Sequence, residues 1–189
     1  MNTVIEYLNE ILPITDKEID EVTPLLKSRT LTKDEFLLRE SKTCNFLTFI
    51  KKGSFRSFHI NANGTSVNLM LNTKNEFISD YQSYITSLPS NVSIQAIEDS
   101  EVIIIMKKDL DKLLVASLYW NKLGRILTEN IFILSKLQLE SMIYKTAEER
   151  YINLITHSPN YLEQFSLKDI ASFIGVTQQS LSRIRARLN

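Results

Sequence analysis

The segment LKDIASFIGVTQQSLSRIRARL (167–188) constrains this 189-residue chain more tightly than any other stretch. Two helices that cross steeply around a tight turn demand particular residue types at fixed positions. Ile170, Ile174, Val176, Leu181 and Ile184 are apolar where a shared core would lie, and Ala171 is small where the second helix would cross the first. Gly175 falls at the turn, where a positive φ is cheap only for glycine. Thr177 is placed to cap the second helix by accepting a bond from one of its free amides. A helix-turn-helix is the expectation, and a plain helical hairpin with a solvated basic face is the alternative.

Gln178, Gln179, Ser182 and Arg183 fall on the face turned away from that core, with Arg185 and Arg187 after them. From Val176 to Asn189 there are three arginines and no acid. The whole chain carries 22 basic and 22 acidic residues, a net charge of zero, which excludes a histone-like polybasic binder and an acidic solvating tail. Contact with nucleic acid would therefore come from a local patch. The last 45 residues hold six basic residues against four acidic ones. Gln and Arg are the side chains that pair bidentately with adenine and guanine edges in the major groove. Gln178, Gln179, Ser182 and Arg183 are thus expected at base edges, while Ser166, Lys168, Ser180 and Arg187 hold phosphates. Thr177, at the helix start, completes the expected DNA-binding set.

Upstream, 4–12 (VIEYLNEIL) and 18–27 read as short amphipathic helices around Pro13. From about Leu31 to Met106, strand-like runs such as FLTFI (46–50) and VIIIM (102–106) alternate with turn signals such as KKGS (51–54) and NANG (61–64). Many short strands at regular spacing predict a β-roll or barrel. Helical texture returns with 109–114 and a long helix over about 117–142. Within it Leu123, Asn130 and Leu137 recur every seven residues, as do Leu127 and Leu134. Such spacing predicts a dimer seam in which Asn130 fixes register, the alternative being a helix packed on its own domain. The single Cys44 excludes an internal disulfide and a cysteine-based zinc site. Glu6 and Glu10 stand where a signal peptide needs positive charge, and no apolar run approaches the roughly 18–20 residues of a membrane span. A cytoplasmic protein without a membrane partner is expected.

Taken together, these motifs resemble the CRP/FNR-type transcription regulators. The segments AEERYINLI (147–155) and IASFIGVTQQSLSRIR (170–185) resemble a subgroup common in Bacteroidetes-like bacteria. The resemblance implies an α+β fold: a cyclic-nucleotide-binding-like β-roll over 1–115, a dimerisation helix over 116–144 and a helix-turn-helix domain over 145–189. It also implies a homodimer on double-stranded DNA at a near-palindromic operator, read by Gln178, Gln179 and Arg183. RNA polymerase and a small-molecule effector are further implied partners. The sequence ends at Asn189, before the β-hairpin wing that follows the recognition helix in many members, so contacts made by a wing are not expected.

In nucleotide-binding members, a Gly-Glu pair and a later Arg-Ser/Thr-Ala form the phosphate and ribose cassette. Ser79 and Asp80 stand in the first place here, and Ser90, Asn91 and Val92 in the second. The Arg-to-Ser change removes the cation that would pair a buried phosphate, and no Lys or Arg lies between Lys74 and Lys107. The expected effector pocket at Ser79, Asp80, Ser90 and Asn91 is thus unsuited to cyclic AMP or GMP. It either takes a less charged molecule or is only a scaffold, with Phe77, Tyr81 and Tyr84 as lining or core. No cofactor or metal is expected. An iron–sulfur sensor needs several cysteines, and the formal haem ligands His59 and Cys44 read more simply as structure. A cupin-like enzyme clusters two or three histidines with a carboxylate, whereas the roll has only His59 and His157 lies far off, so no enzyme is expected. The remaining alternative is a dimeric β-roll ligand-binding or interaction module that does not bind DNA.

Overall fold

The computed structural model describes residues 2–188. Helices α1 (Asn2–Ile11) and α2 (Asp16–Val22) come first, and a 3-10 turn at Thr23–Leu25 follows. Then come β1 (Lys27–Leu31), β2 (Phe36–Leu38), β3 (Phe46–Lys52), β4 (Phe55–Ile60), β5 (Ser66–Asn72) and β6 (Phe77–Ile78). Helix α3 (Tyr81–Thr86) precedes β7 (Ser93–Ala96) and β8 (Ser100–Met106). The remainder is helical: α4 (Lys107–Ala116), α5 (Leu118–Tyr144), α6 (Ala147–His157), α7 (Tyr161–Gln164), α8 (Leu167–Phe173) and α9 (Gln178–Leu188). The strands begin earlier than their texture suggests. In β1 only Leu31 is buried, so KSRTL has no alternation to read, and its antiparallel pairing with β8 makes it a strand.

Two antiparallel sheets, ordered β1-β8-β3-β6 and β2-β7-β4-β5, face each other. Leu38, Ile50, Phe55, Ile94, Ala96 and Val102 form the core between them. Alternate residues of β3 and β8, namely Phe49, Ile103 and Ile105, point the other way into a second core under α1, α2, α4 and α5. The first sheet is therefore apolar on both faces, which is why 102–106 reads as a continuous apolar run. Tyr7, Phe49 and Phe77 meet in that second core at centroid distances of 5.2–5.7 Å. Helix α5 is tied to the amino-terminal helices by Trp120 Nε1 donating to Glu21 (3.0 Å) and Tyr119 OH donating to Leu12 O (2.9 Å).

Turn chemistry sets the connections between strands, including the crossing from the first sheet to the second. Gly53, between β3 and β4, has φ +98°, and a Cβ there would come within 2.1 Å of Ser100 Oγ. A left-handed backbone and close approach together require glycine. The outer face of the second sheet is covered by the carboxyl-terminal helices: Leu71 and Ile97 join the core built by Tyr151, Phe165, Ile170, Leu181 and Ile184. Among the described residues, no helix is long and apolar enough to cross a membrane.

Candidate nucleic-acid interface

The carboxyl-terminal unit is assembled from capped helices. Thr146 caps α6 reciprocally with Glu149: its N–H donates to the Glu149 carboxylate (2.7 Å) and its Oγ1 accepts from Glu149 N (3.3 Å). The Thr146 N–H, with the Thr146 hydroxyl, donates to the Glu149 carboxylate and holds it below its ordinary pKa. Ser166 caps α8 by accepting from Asp169 N at 3.1 Å. Gly175 turns the chain at φ +73°, and Thr177 Oγ1 accepts from Ser180 N at 3.1 Å to start α9. Ile170, Ala171, Ile174, Leu181 and Ile184 are all buried, and Val176 is half-buried.

With one face of α9 committed to that core, Gln178, Gln179, Ser182 and Arg183 lie exposed on the other. Arg183 makes no hydrogen bond or ion pair among the described residues. Thr177, Lys168 and Ser166 are exposed as well, although the Ser166 hydroxyl donates to Asp169 at 2.5 Å. Ser180 is half-buried and its hydroxyl lies 2.9 Å from that of Thr177. Arg187 reaches back to Glu148 at 3.2 Å. Sequence reasoning missed Arg150, whose guanidinium donates to Ile174 O (2.8 Å) and Lys145 O (2.6 Å) and so staples α6 to the turn before α9. Its only visible signal is a basic residue inside AEERYINLI.

Hydrogen bonds tie the four expected pocket residues to their surroundings in the roll. Ser79 Oγ donates to Phe46 O (3.2 Å), and Ser90 Oγ donates to Val92 O (2.8 Å) while accepting from Val92 N (3.1 Å). Asp80 instead caps α3, accepting from Ser83 N at 3.5 Å. Asn91 is exposed, and its carbonyl accepts from His59 Nδ1 at 3.0 Å. Cys44 is fully buried and accounts for itself structurally, its N–H donating to Ser83 Oγ at 2.9 Å. Phe77 is half-buried against the second core and lines the same groove as Tyr81 and Tyr84, which stack near-parallel at 6.0 Å beside α5. Burial pushes the Tyr84 phenol up to about 12, helped by the nearby Asp111 carboxylate.

Those two tyrosines border an apolar groove of about 940 Å³ between the amino-terminal helices, α3 and α5. The expected seam residues divide along it. Leu123 is 2% exposed and belongs to the chain's own core, with Leu127 half-buried beside it. Asn130 is exposed, as are Leu134 (64%) and Leu137 (54%), together with Phe132 (69%) and Ile133 (52%). The proximal half of α5 is thus satisfied within the chain and the distal half presents bare hydrocarbon.

Among solved structures, the chain is similar to FixK2 from Bradyrhizobium japonicum (18% identity, TM-score 0.75, covering 86% of this chain and 84% of that one). It is similar to the Thermus thermophilus catabolite activator protein (18%, TM-score 0.60, covering 96% and 86%). The c-di-GMP-responsive global regulator CLP of Xanthomonas campestris also shares the fold (16%, TM-score 0.66, covering 92% and 91%). Among curated proteins, none matches the chain by sequence. Within the chain, residues 28–117, spanning both sheets, match the family model of the cyclic nucleotide-binding domain.

Proposed function

We propose that this chain is a CRP/FNR-type, sequence-specific DNA-binding transcription regulator of the cytoplasm that works as a homodimer. The observation that carries the reading is the exposed face of α9, where Gln178, Gln179, Ser182 and Arg183 stand clear of a capped, Gly175-turned helix pair. These side chains suit base edges, and Lys168, Ser166, Thr177, Ser180 and Arg187 suit the flanking phosphates. Arg187 must first leave Glu148. The distal apolar face of α5, from Phe132 to Leu137, supports pairing with a second copy, for a monomer seldom leaves so much contiguous hydrocarbon in water. Pairing would set two reading helices roughly 34 Å apart on a near-palindromic site. Units at 1–115, 116–144 and 145–189 then serve as sensor, dimer helix and reader. RNA polymerase is the protein partner this role implies.

The effector in this reading is neither cyclic AMP nor cyclic GMP. Ser90 stands where a phosphate needs a cation, and its hydroxyl is already spent on Val92. The test is selection of genomic fragments by the purified protein, with and without cell metabolite extract. Enrichment of one near-palindromic family of fragments is expected, with extract changing the yield. Recovery no better than the unselected pool at low ionic strength overturns the assignment in favour of a roll that acts without DNA.

A further inference from the structure

The reading helix is anchored beyond its own unit. Helix α8 lies along β5, the edge strand of the second sheet. The Asn68 backbone N–H donates to Ser172 Oγ at 2.8 Å. The Asn68 amide nitrogen donates to the Asp169 carbonyl (3.2 Å) and carboxylate (3.0 Å). Arg56 donates to the same carboxylate oxygen at 3.4 Å, while its other nitrogens grip Gln95 Oε1 at 3.1 and 2.7 Å. Its guanidinium also lies 4.4 Å over the Phe58 ring, so it is held from three sides. A few residues along β5, Tyr161 OH donates to Leu71 O at 2.8 Å, and the Leu71 side chain is buried in the reader's core.

An apolar anchor at Leu71, through Tyr161 and the common core, and a polar one at Asn68, on α8, fix the helical unit at two points along one strand. Helix α9 is rigid with respect to α8 through their common core and the Gly175 turn, so β5 sets where α9 points. In this docked arrangement the face of α9 that bears Gln178 and Arg183 is open to solvent. The contact therefore presents that face and does not hide it. Holding a reader in its binding orientation before encounter lowers the ordering cost of association.

We propose that Arg56 and Asn68, roll residues remote from any base, are positioning residues for operator reading: by locking α8 onto β5 they fix the separation of the two reading helices in a dimer. This rests on the DNA-reading, homodimeric assignment above. It predicts that the joint governs tolerance to half-site spacing, a property that neither base contacts nor simple stability controls.

The test starts from the operator selected with the wild-type chain, remade with half-site centres moved by one and two base pairs, and as a single half-site. Binding is read by fluorescence anisotropy for wild type, Arg56→Gln/Asn68→Ala and Arg56→Lys. The double variant should lose about tenfold on the best spacing, a loss of preorganisation, discriminate less among spacings and bind the half-site as wild type does. Arg56→Lys, which keeps the charge beside Asp169, should recover part of the spacing preference. A separate Asn68→Cys/Ser172→Cys variant, oxidised to lock the joint, should retain wild-type affinity and spacing preference. An unchanged spacing profile in the double variant overturns the proposal, as does loss of operator binding on oxidation that thiol restores, since the docked state would then be the silent one. A wild-type chain that binds no duplex overturns the DNA-reading assignment itself, a result distinct from either of these.

Discussion

Arg183→Ala tests the proposed base reading apart from everything else the chain does. Arg183 is exposed on α9 and has no hydrogen-bond or ion-pair partner among the described residues, so its truncation breaks neither kind of interaction. Thermal stability should stay within about 0.5 kcal/mol of wild type, as for surface changes of this kind. A bidentate Arg–guanine pair contributes about 1–3 kcal/mol of discrimination. A homodimer loses two such pairs, about 2–6 kcal/mol in all, which spans roughly 30-fold to roughly 20,000-fold in affinity at about 1.4 kcal/mol per tenfold. The measurement is anisotropy titration against the selected operator, a panel carrying single base-pair changes in each half-site, and a random duplex of equal length. One position in each half-site should become indifferent to base identity, while random-duplex affinity falls far less. If the variant binds the operator as tightly and as selectively as wild type, Arg183 does not read a base. If operator and random duplex weaken equally, it holds a phosphate.

Lys168→Ala should weaken binding to all duplexes alike and lower the slope of log affinity against log salt by about one per subunit, read from titrations at several salt concentrations. Leu134→Glu/Leu137→Glu should leave the fold intact and make the chain monomeric by sedimentation equilibrium, whereas Leu123→Ala should cost about 2–5 kcal/mol of stability because Leu123 is core. Burial raises the Glu76 carboxyl pKa despite bonds from Asn72 and Thr73. The folded state thus holds that proton more tightly than the unfolded chain, and stability falls as pH rises from the ordinary carboxylate range through the folded pKa. Glu76→Gln should therefore melt higher than wild type at neutral pH, with the difference closing under acid, as followed by circular dichroism.

The capped helix pair α8–α9 was legible because its constraints are local. Ala171, Gly175, Thr177 and the apolar positions around them all act within a few turns of one another, and each residue type has one physical reason to be there. The roll was legible through its turns, since KKGS and NANG announce chain reversals regardless of what the strands bury, NANG closing the β4–β5 hairpin and KKGS carrying the chain from one sheet to the other. Long-range relations left no such trace. Asn68 and Asp169 are about a hundred residues apart, and neither is unusual in its own neighbourhood. The seven-residue recurrence of Leu123 and Leu137 is real in the sequence, but periodicity describes a face and not its occupant. One leucine faces the chain's own core and the other faces water. Helix α3 was missed because Tyr81–Thr86 is six residues long, too short for an apolar period to emerge. The expected effector pocket was only partly legible: the lack of any basic residue between Lys74 and Lys107 could be read, whereas the engagement of the Ser79 and Ser90 hydroxyls could not.

From Val102 to Ile105 strand β8 has no wet side, and this changes where its alignment information resides. In a strand with one solvated face, a slip by one residue drives charge inward and is punished at once. A slip within Val102–Ile105 merely exchanges one aliphatic side chain for another, so polarity there is silent about alignment. What remains to index the strand is its first end, where Ser100 closes on Gly53 and Glu101 accepts from Lys51 at 2.8 Å. A side chain at position 53, more than any single change among the isoleucines, should let the sheet mispair.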